Sequence, residues 1–226
     1  MLSSPSAGTA QDGADTSPPP GALADIESHR DRFMELCAEA GVPLPFVPTI
    51  AEWTRPSLIS WRARERMVAV PVWDELAPPQ HALFEEMAAG IGGQTLFDWL
   101  FRWFFVPHEL GHALQSSVCP DRFGHYHSEQ QANDIAVAFW MIARPEALDV
   151  LEQIIATVAA GVPNPVPEGE QPAAFFDTNY DTLASDPWAY GYFQFRFVSS
   201  SLERRHDLVL REVLEQLCDD EAVPAR

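Results

Sequence analysis

The sequence predicts an α+β fold that is mostly helical and contains one small β-sheet. Three observations lead to this prediction. Apolar residues recur at helical spacing in most segments after residue 22, runs typical of strands occur only between residues 58 and 73, and glycines and prolines separate the segments. With 226 residues, 46% of them apolar, the chain is long enough for one domain with a substantial core.

The first residues differ in composition from the rest of the chain. Residues 1–21 are small, polar and rich in proline, so they cannot offset the entropy of ordering. We expect residues 1–21 to be a disordered tail and residues 22–226 to form a single domain.

The first half of the domain combines helices with two strands. Apolar spacing predicts a helix from Ala22 that stops at Gly41, followed by an irregular, proline-rich connection over residues 43–56. The runs LISWRAR (58–64) and RMVAVPVW (66–73) predict two strands, with a hairpin as one arrangement. Pro71 cannot donate to a ladder, which places that end at a sheet edge or beyond the pairing. A short helix is predicted over residues 81–89.

The second half is predicted to be helical. Residues 95–118 have the apolar spacing of a buried helix, which Pro107 is expected to kink or divide near Val106. Ser128 is the predicted N-cap of the next helix, which stops before Pro145. Further helices are expected over residues 146–160 and, as one or two elements, over residues 187–217, with a proline-rich loop at 162–172.

The segment HELGH carries the chemistry. His108 and His112 are four residues apart, so on a helix they project from one face and can bind one metal ion, with Glu109 beside it. A catalytic zinc ion needs three protein ligands and an open position for water, whose pKa it lowers toward neutrality. We therefore predict Zn²⁺ as the cofactor, His108 and His112 as ligands, and Glu109 as the general base.

The third ligand must come from elsewhere in the chain. The glycine and third histidine of the metzincin pattern are missing, because Gln115 and Val118 stand in their places. We favour Glu129, on the predicted next helix, with Asn133 one turn later able to hydrogen-bond a ligand. The alternatives are His125 and His127, which are expected to lie on a loop.

HELGH followed by EQQAN resembles the gluzincin class of zinc metallopeptidases, and especially small bacterial members of the ImmA/IrrE group. The resemblance covers at most residues 68–140. It implies His108, His112 and Glu129 as zinc ligands and Glu109 as general base. It also implies a small sheet, with an edge strand, packed beside the HExxH helix and the second ligand-bearing helix. Asn133 stands where larger gluzincins usually have Asp.

A hydrolytic site also benefits from a donor that stabilises the oxyanion. The aromatic segment at 187–198 offers Tyr190, Tyr192 and Arg196, of which we choose Tyr190 as a catalytic residue. The leading hypothesis is a zinc-dependent hydrolase, specifically a peptidase acting on peptides or proteins. The alternatives are a metal-binding regulatory protein on a gluzincin-like fold and a non-peptidase metalloenzyme acting on a small molecule.

Charge and cysteine usage limit partners and location. A net charge of −19 makes nucleic acids and membrane surfaces unfavourable partners. Cys37, Cys119 and Cys218 are far apart and never in a CxxC pair, so we expect three thiols, a reducing compartment and a cytoplasmic protein. His29, His81 and His206 are expected to be surface groups.

Overall fold

The computed structural model describes residues 21–55, 58–120 and 124–218. Within these ranges the chain is mostly helical with a small three-stranded sheet, which confirms the predicted α+β class. The tail expected over residues 1–21 lies outside the described residues, except for Gly21. None of the helices in the described ranges is long and apolar enough to cross a membrane.

The sheet consists of β1 (Thr49–Glu52), β2 (Ser60–Arg62) and β3 (Met67–Val70). β3 lies in the middle, parallel to β1 and antiparallel to β2, so the predicted pair of strands is a hairpin and β2 is an edge strand. β1 is a correction, because it lies in the segment that we expected to be irregular. Pro71 follows directly after β3, beyond the pairing, as its missing N–H requires.

The first helices are α1 (Leu23–Glu39), α2 (Pro78–Met87), α3 (Gly93–Trp99) and α4 (Phe105–Val118), which carries HELGH. α3 and α4 are joined by a π-helical turn, Leu100–Phe104. The interruption expected near Val106 is therefore a widened turn just before Pro107. Pro107 itself lies in the first turn of α4 and does not divide the helix.

Arg102 fixes the π-helical turn against its surroundings. Its guanidinium donates to the carbonyl oxygens of Gly21 at 2.8 Å and Pro71 at 2.9 Å. It also pairs with the carboxylate of Glu52, at the end of β1, at 3.0 Å. One half-buried side chain thus connects the start of the described chain, the sheet and the helix that leads into HELGH.

The longest helix is α5 (His125–Ala143), which begins three residues before the predicted N-cap, Ser128. The carboxylate of Asp177, more than 50 residues away in sequence, accepts a hydrogen bond from the Tyr126 N–H at 2.7 Å. This carboxylate replaces an N-cap side chain by accepting a hydrogen bond from the first turn of α5, so the helix begins earlier than the local sequence indicates. Residues 129–140 of α5 are all buried, and α4 packs along it.

The remaining helices are α6 (Pro145–Ala159), α7 (Pro172–Leu183), α8 (Pro187–Glu203) and α9 (Leu210–Glu215). α6, α8 and α9 confirm the predicted segments, whereas α7 was not predicted. Phe176 and Leu183 of α7 pack with Phe193 and Phe197 of α8 in a second apolar cluster beside the main core. Asp186 caps α8 by accepting from the N–H groups of Trp188 and Ala189.

The prediction of three thiols is wrong for two of the cysteines. Cys119, at the end of α4, and Cys218, after α9, form a disulfide with their Cα atoms 5.7 Å apart. Cys37 is a buried free thiol. The disulfide removes the observation on which the cytoplasmic location was based.

Candidate metal centre

The structure brings three predicted ligands together. The Nε2 atoms of His108 and His112, one turn apart on α4, lie 3.1 Å from each other. The carboxylate of Glu129, from α5, lies 3.3 Å from His108 Nε2 and 3.7 Å from His112 Nε2. Among the described residues, these three form the one group of His, Cys, Asp and Glu side chains whose ligand atoms converge within 4.8 Å.

Gly111 allows the two ligand-bearing helices to approach this closely. A Cβ atom at Gly111 would lie 3.4 Å from the Cα of Ala132 and 3.5 Å from Ile135 Cδ1 on α5. A methyl group at these distances makes ordinary contacts, whereas a side chain longer than that of Ala would run into α5 and push Glu129 away from the histidines. The glycine of HELGH therefore has a packing role in this chain.

The donor set fits a divalent transition-metal ion. Two imidazole nitrogens and one carboxylate oxygen are a usual set for a catalytic zinc site. Donors at about 2.0–2.1 Å from a tetrahedral ion lie roughly 3.3–3.4 Å apart. The two Nε2 atoms, 3.1 Å apart, and the pair His108 Nε2–Glu129 Oε2, 3.3 Å apart, are close to that value, while the 3.7 Å separation joins His112 Nε2 to the other carboxylate oxygen, Oε1. The side chains are thus already spaced as such an ion requires.

The charges of the three groups are coupled. Burial opposes ionisation of Glu129, but the charge of His112 and hydrogen bonds from both histidines hold its pKa well below the ordinary value. Burial alone would lower the pKa of His112, yet the Glu129 carboxylate raises that pKa to about 9. The site therefore holds a buried, ionised carboxylate against two imidazoles, an arrangement that stabilises a cation.

Glu109 lies beside the three ligands rather than among them. Its Oε2 accepts a hydrogen bond from the main-chain N–H of Trp61 on β2 at 2.6 Å. Burial raises the pKa of Glu109, with the neighbouring histidines acting in the opposite direction. A buried carboxylate held next to the three ligands has the placement that a general base needs.

Hydrogen-bonded amide side chains hold the imidazole of His112 at Nδ1, the nitrogen that does not face the other ligands. The Nδ1–H of His112 donates to Gln115 Oε1 at 2.8 Å, which leaves Nε2 to face the other ligands. Gln115 Nε2 donates to Gln131 Oε1 at 2.9 Å, and Gln131 Nε2 donates to the carbonyl of Leu217 at 3.1 Å. The ring orientation of His112 is thus connected to the residue that precedes the disulfide cysteine Cys218.

The expected role of Asn133 needs correction. Its Nδ2 donates to the main-chain carbonyl of Glu129 at 2.9 Å and not to a ligand side chain. Its Oδ1 and the Nδ1 of His108 are buried, and neither forms a hydrogen bond with a described residue. Asn133 therefore braces the helix that carries Glu129, and the support that His112 receives from Gln115 has no counterpart at His108.

Tyr190, predicted as a catalytic residue, reaches the ligand cluster from α8. Its hydroxyl donates to Glu129 Oε1 at 3.2 Å, and Gln194, one turn later, donates to Glu129 Oε2 at 2.9 Å. The side chains of Tyr190 and Tyr180 are hydrogen-bonded to each other. Burial and the nearby Glu129 carboxylate raise the pKa of both phenols. Both phenols therefore stay neutral donors. Sequence reasoning missed Gln115, Gln194 and Tyr180, because no motif marks them.

The two competing histidines do not join the ligand cluster. His125 and His127 lie on the first turn of α5 and not on a loop. The ring of His125 stacks on that of Tyr180 with the ring centroids 3.7 Å apart, and both residues line a cavity next to the ligands. Glu129, rather than either histidine, is the group that approaches His108 and His112.

The site opens into a cavity of about 770 Å³. One helical face forms one wall of this cavity through Leu96, Leu100, Phe101, Phe105, His108, Glu109 and His112. The step of five residues from Leu100 to Phe105 is the repeat of a π-helical turn. This turn keeps the apolar first half of the wall in line with the ligand-bearing second half.

Comparisons with models of known protein families, with curated proteins and with solved structures gave no match for this chain. The resemblance to gluzincins therefore rests on the HELGH and EQQAN segments alone.

Proposed function

We propose that this protein is a metal-dependent hydrolase, with zinc as the metal and peptides as substrates. The observation that carries the proposal is the convergence of His108, His112 and Glu129, with the Glu109 carboxylate next to them on the wall of a cavity. This arrangement also supports a kinship with gluzincin metallopeptidases.

The residues of the site have different roles in the proposed hydrolysis. A bound zinc ion would supply Lewis acidity and lower the pKa of water. Glu109 takes a proton from the attacking water and later delivers one to the leaving amine. Tyr190, whose single O–H donates to Glu129 in this structure, would turn that O–H to the carbonyl oxygen on which negative charge develops, and Gln194 would remain as the donor to Glu129.

The edge strand favours a peptide as substrate. The N–H of Trp61 points away from β3 and donates to Glu109, so the edge of β2 that pairs with no described strand faces the metal centre, and a substrate can use this N–H once Glu109 releases it. Residues 58–61 also line the cavity. An extended peptide can pair with such an edge while one of its peptide bonds lies over the ligands. This edge favours peptides over the alternative of a small-molecule substrate.

Metal analysis combined with one conservative variant tests the proposal. Wild-type protein purified without added metal should contain one ion per chain and hydrolyse a mixture of unstructured peptides. Glu109→Gln should keep the ion and lose hydrolysis, because Glu109 transfers protons and is not a ligand. Glu86→Gln, at an exposed position on α2, is the matched control and should retain both properties.

Two outcomes would change the proposal. Loss of the ion from Glu109→Gln would place Glu109 among the ligands. A metal-loaded wild type that is inert toward every peptide would favour a metal-binding regulatory protein.

A cytoplasmic location is not part of the proposal, since disulfides such as Cys119–Cys218 persist mainly in oxidising compartments. The excess of acidic residues argues against nucleic acids and anionic membranes as partners.

A further inference from the structure

The cavity extends well beyond the metal ligands into an apolar chamber, lined by Phe84, Met87, Leu100, Phe101, Phe105 and Phe195. We infer that this chamber binds a bulky, uncharged side chain next to the cleaved bond of the substrate, and that Gly191 sets the size of the side chain that fits. The inference rests on the proposed peptidase function and names its substrate class.

A row of aromatic rings connects the chamber to the ligands. The ring of Phe105 lies edge-on to that of His108, with centroids 5.2 Å apart. Phe101 lies 5.7 Å from Phe105, and Phe84 lies 5.6 Å from Phe101. A side chain that follows these rings therefore begins beside a metal ligand, at the distance of a residue that flanks the reacting bond.

The chamber provides no partner for a charged side chain. Of the described residues that line the whole cavity, none is Arg, and the carboxylates are Glu109 and Glu129 at the metal end. A charged group placed among the phenyl rings would lose its hydration without gaining an ion pair. Burial of a Leu or Phe side chain there releases water from apolar surface and is favourable.

Gly191 forms part of the chamber wall on α8. A Cβ atom at this position would lie 3.6 Å from Phe195 Cε2 and 3.7 Å from Met87 Cε, so a side chain would project between two chamber residues. The neighbouring residue, Tyr190, contacts Glu129. Gly191 is helical and its φ is not positive, so substitution does not strain the backbone. A larger residue here should fill the chamber and leave the ligands in place.

The experiment uses full-length, metal-loaded protein and a set of peptides blocked at both ends. The peptides share an alanine-rich sequence and carry Phe, Leu, Gly, Glu or Arg at one position, and mass spectrometry locates the cleaved bond. Wild type should cleave next to Phe or Leu with a kcat/KM at least about tenfold above that for Gly. The peptides with Glu or Arg should have a kcat/KM as low as that of the Gly peptide, or lower.

Variants at Gly191 test the wall directly. Gly191→Leu should lose most of the preference for Phe over Gly and keep its metal content. Gly191→Ala, whose methyl group makes ordinary contacts, should keep the preference. Adding Met87→Ala to Gly191→Leu makes space in the chamber again and should restore part of the preference for Phe over Gly. A Gly191→Leu protein that still prefers Phe as strongly as wild type would overturn the assignment.

A binding measurement separates this inference from the proposed function. The metal-loaded Glu109→Gln protein should bind the Phe peptide at least about tenfold more tightly than the Gly peptide, and Gly191→Leu should remove the difference. If wild type cleaves no peptide but this binding pattern holds, the chamber is confirmed and peptide hydrolysis is wrong. If peptides are cleaved with no preference for apolar residues, hydrolysis stands and the chamber assignment is wrong.

Discussion

Gln115 fixes the imidazole of His112 through a hydrogen bond of 2.8 Å from Nδ1–H to Oε1. The same amide oxygen accepts a bond from Ser128 Oγ at 2.9 Å, and the amide nitrogen bonds to the main-chain carbonyl of Ser128 at 3.0 Å. Gln115 therefore links the two ligand-bearing helices directly behind the metal centre. A side chain that holds a ligand ring in one orientation lowers the entropic cost of metal binding.

The first prediction follows from this contact. Gln115→Leu keeps the volume of the side chain and removes its amide, so zinc affinity should fall by about 10- to 100-fold. Competition titration against a chromophoric chelator measures the change. Ser117→Ala, on the same helix, removes a hydroxyl that donates to the Ala113 carbonyl and contacts none of the described metal ligands, so it should leave the affinity unaltered. Equal affinities for Gln115→Leu and wild type would contradict the role of Gln115.

The second prediction concerns the third ligand. Glu129→Ala leaves two imidazoles and removes the buried negative charge, so zinc affinity should fall by at least about 100-fold. His125→Ala, one turn earlier on α5, should change it little because His125 stacks on Tyr180 outside the cluster. The same titration decides between them. A selective loss in His125→Ala would replace the His₂Glu site with a three-histidine site.

The third prediction separates Tyr190 from the metal ligands. Tyr190→Phe removes the hydroxyl but keeps the ring, so kcat should fall by about 100-fold while the metal content stays at the wild-type level. Tyr192→Phe is the control, because the Tyr192 hydroxyl contacts Arg196 and not Glu129. If Tyr190→Phe instead loses metal without a specific effect on kcat, the hydroxyl serves only to position Glu129.

The fourth prediction counts thiols. Burial raises the pKa of Cys37 to about 12, and the side chain has no exposed surface, so its thiol should not react with a chromogenic disulfide reagent in the native protein at pH 8. Unfolding without reductant should expose one reactive thiol per chain, and reduction should raise the number to three. Three thiols before reduction would show that Cys119 and Cys218 are not bridged.

The fifth prediction is a pH dependence of stability. His29 is half-buried, its ring lies 4.8 Å from that of Trp140, and burial lowers its pKa below 6.5. Protonation is therefore easier in the unfolded chain, so the free energy of unfolding decreases as the pH falls through about 6.5. His29→Gln should make this decrease smaller in denaturant titrations between pH 7.5 and 5.5. His206→Gln, at an exposed position, should leave the slope as in wild type.

The sequence predicts those parts of the site that depend on local spacing. His108 and His112 share a face because any α-helix places residues four apart on one side, and Glu129 follows from the next amphipathic segment. Tyr190 was selected for its chemistry alone, and the structure places it against Glu129. Gln115 and Gln194 were missed, because an amide side chain becomes functional only through the partner that the fold supplies.

The parts of the fold that the sequence does not predict also depend on contacts between distant residues. β1 is four residues long and exists through its parallel pairing with β3, which is distant in sequence. α7 buries only Phe176 and Leu183 and is distorted at Asn179, so its apolar periodicity is weak. The early start of α5 depends on Asp177, and the disulfide joins cysteines 99 residues apart. Each of these features is created by tertiary contacts that no local pattern records.

The Cys119–Cys218 disulfide makes everything from α5 to α9 part of a closed covalent ring, since it joins the end of α4 to the chain after α9. His108 and His112 precede the ring, whereas Glu129, Tyr190 and Gln194 lie within it. A protease that cuts the proline-rich connection at residues 162–171 therefore opens the ring but releases no fragment. The nicked protein should migrate as one species on a denaturing gel without reductant, and as two pieces once the bridge is reduced.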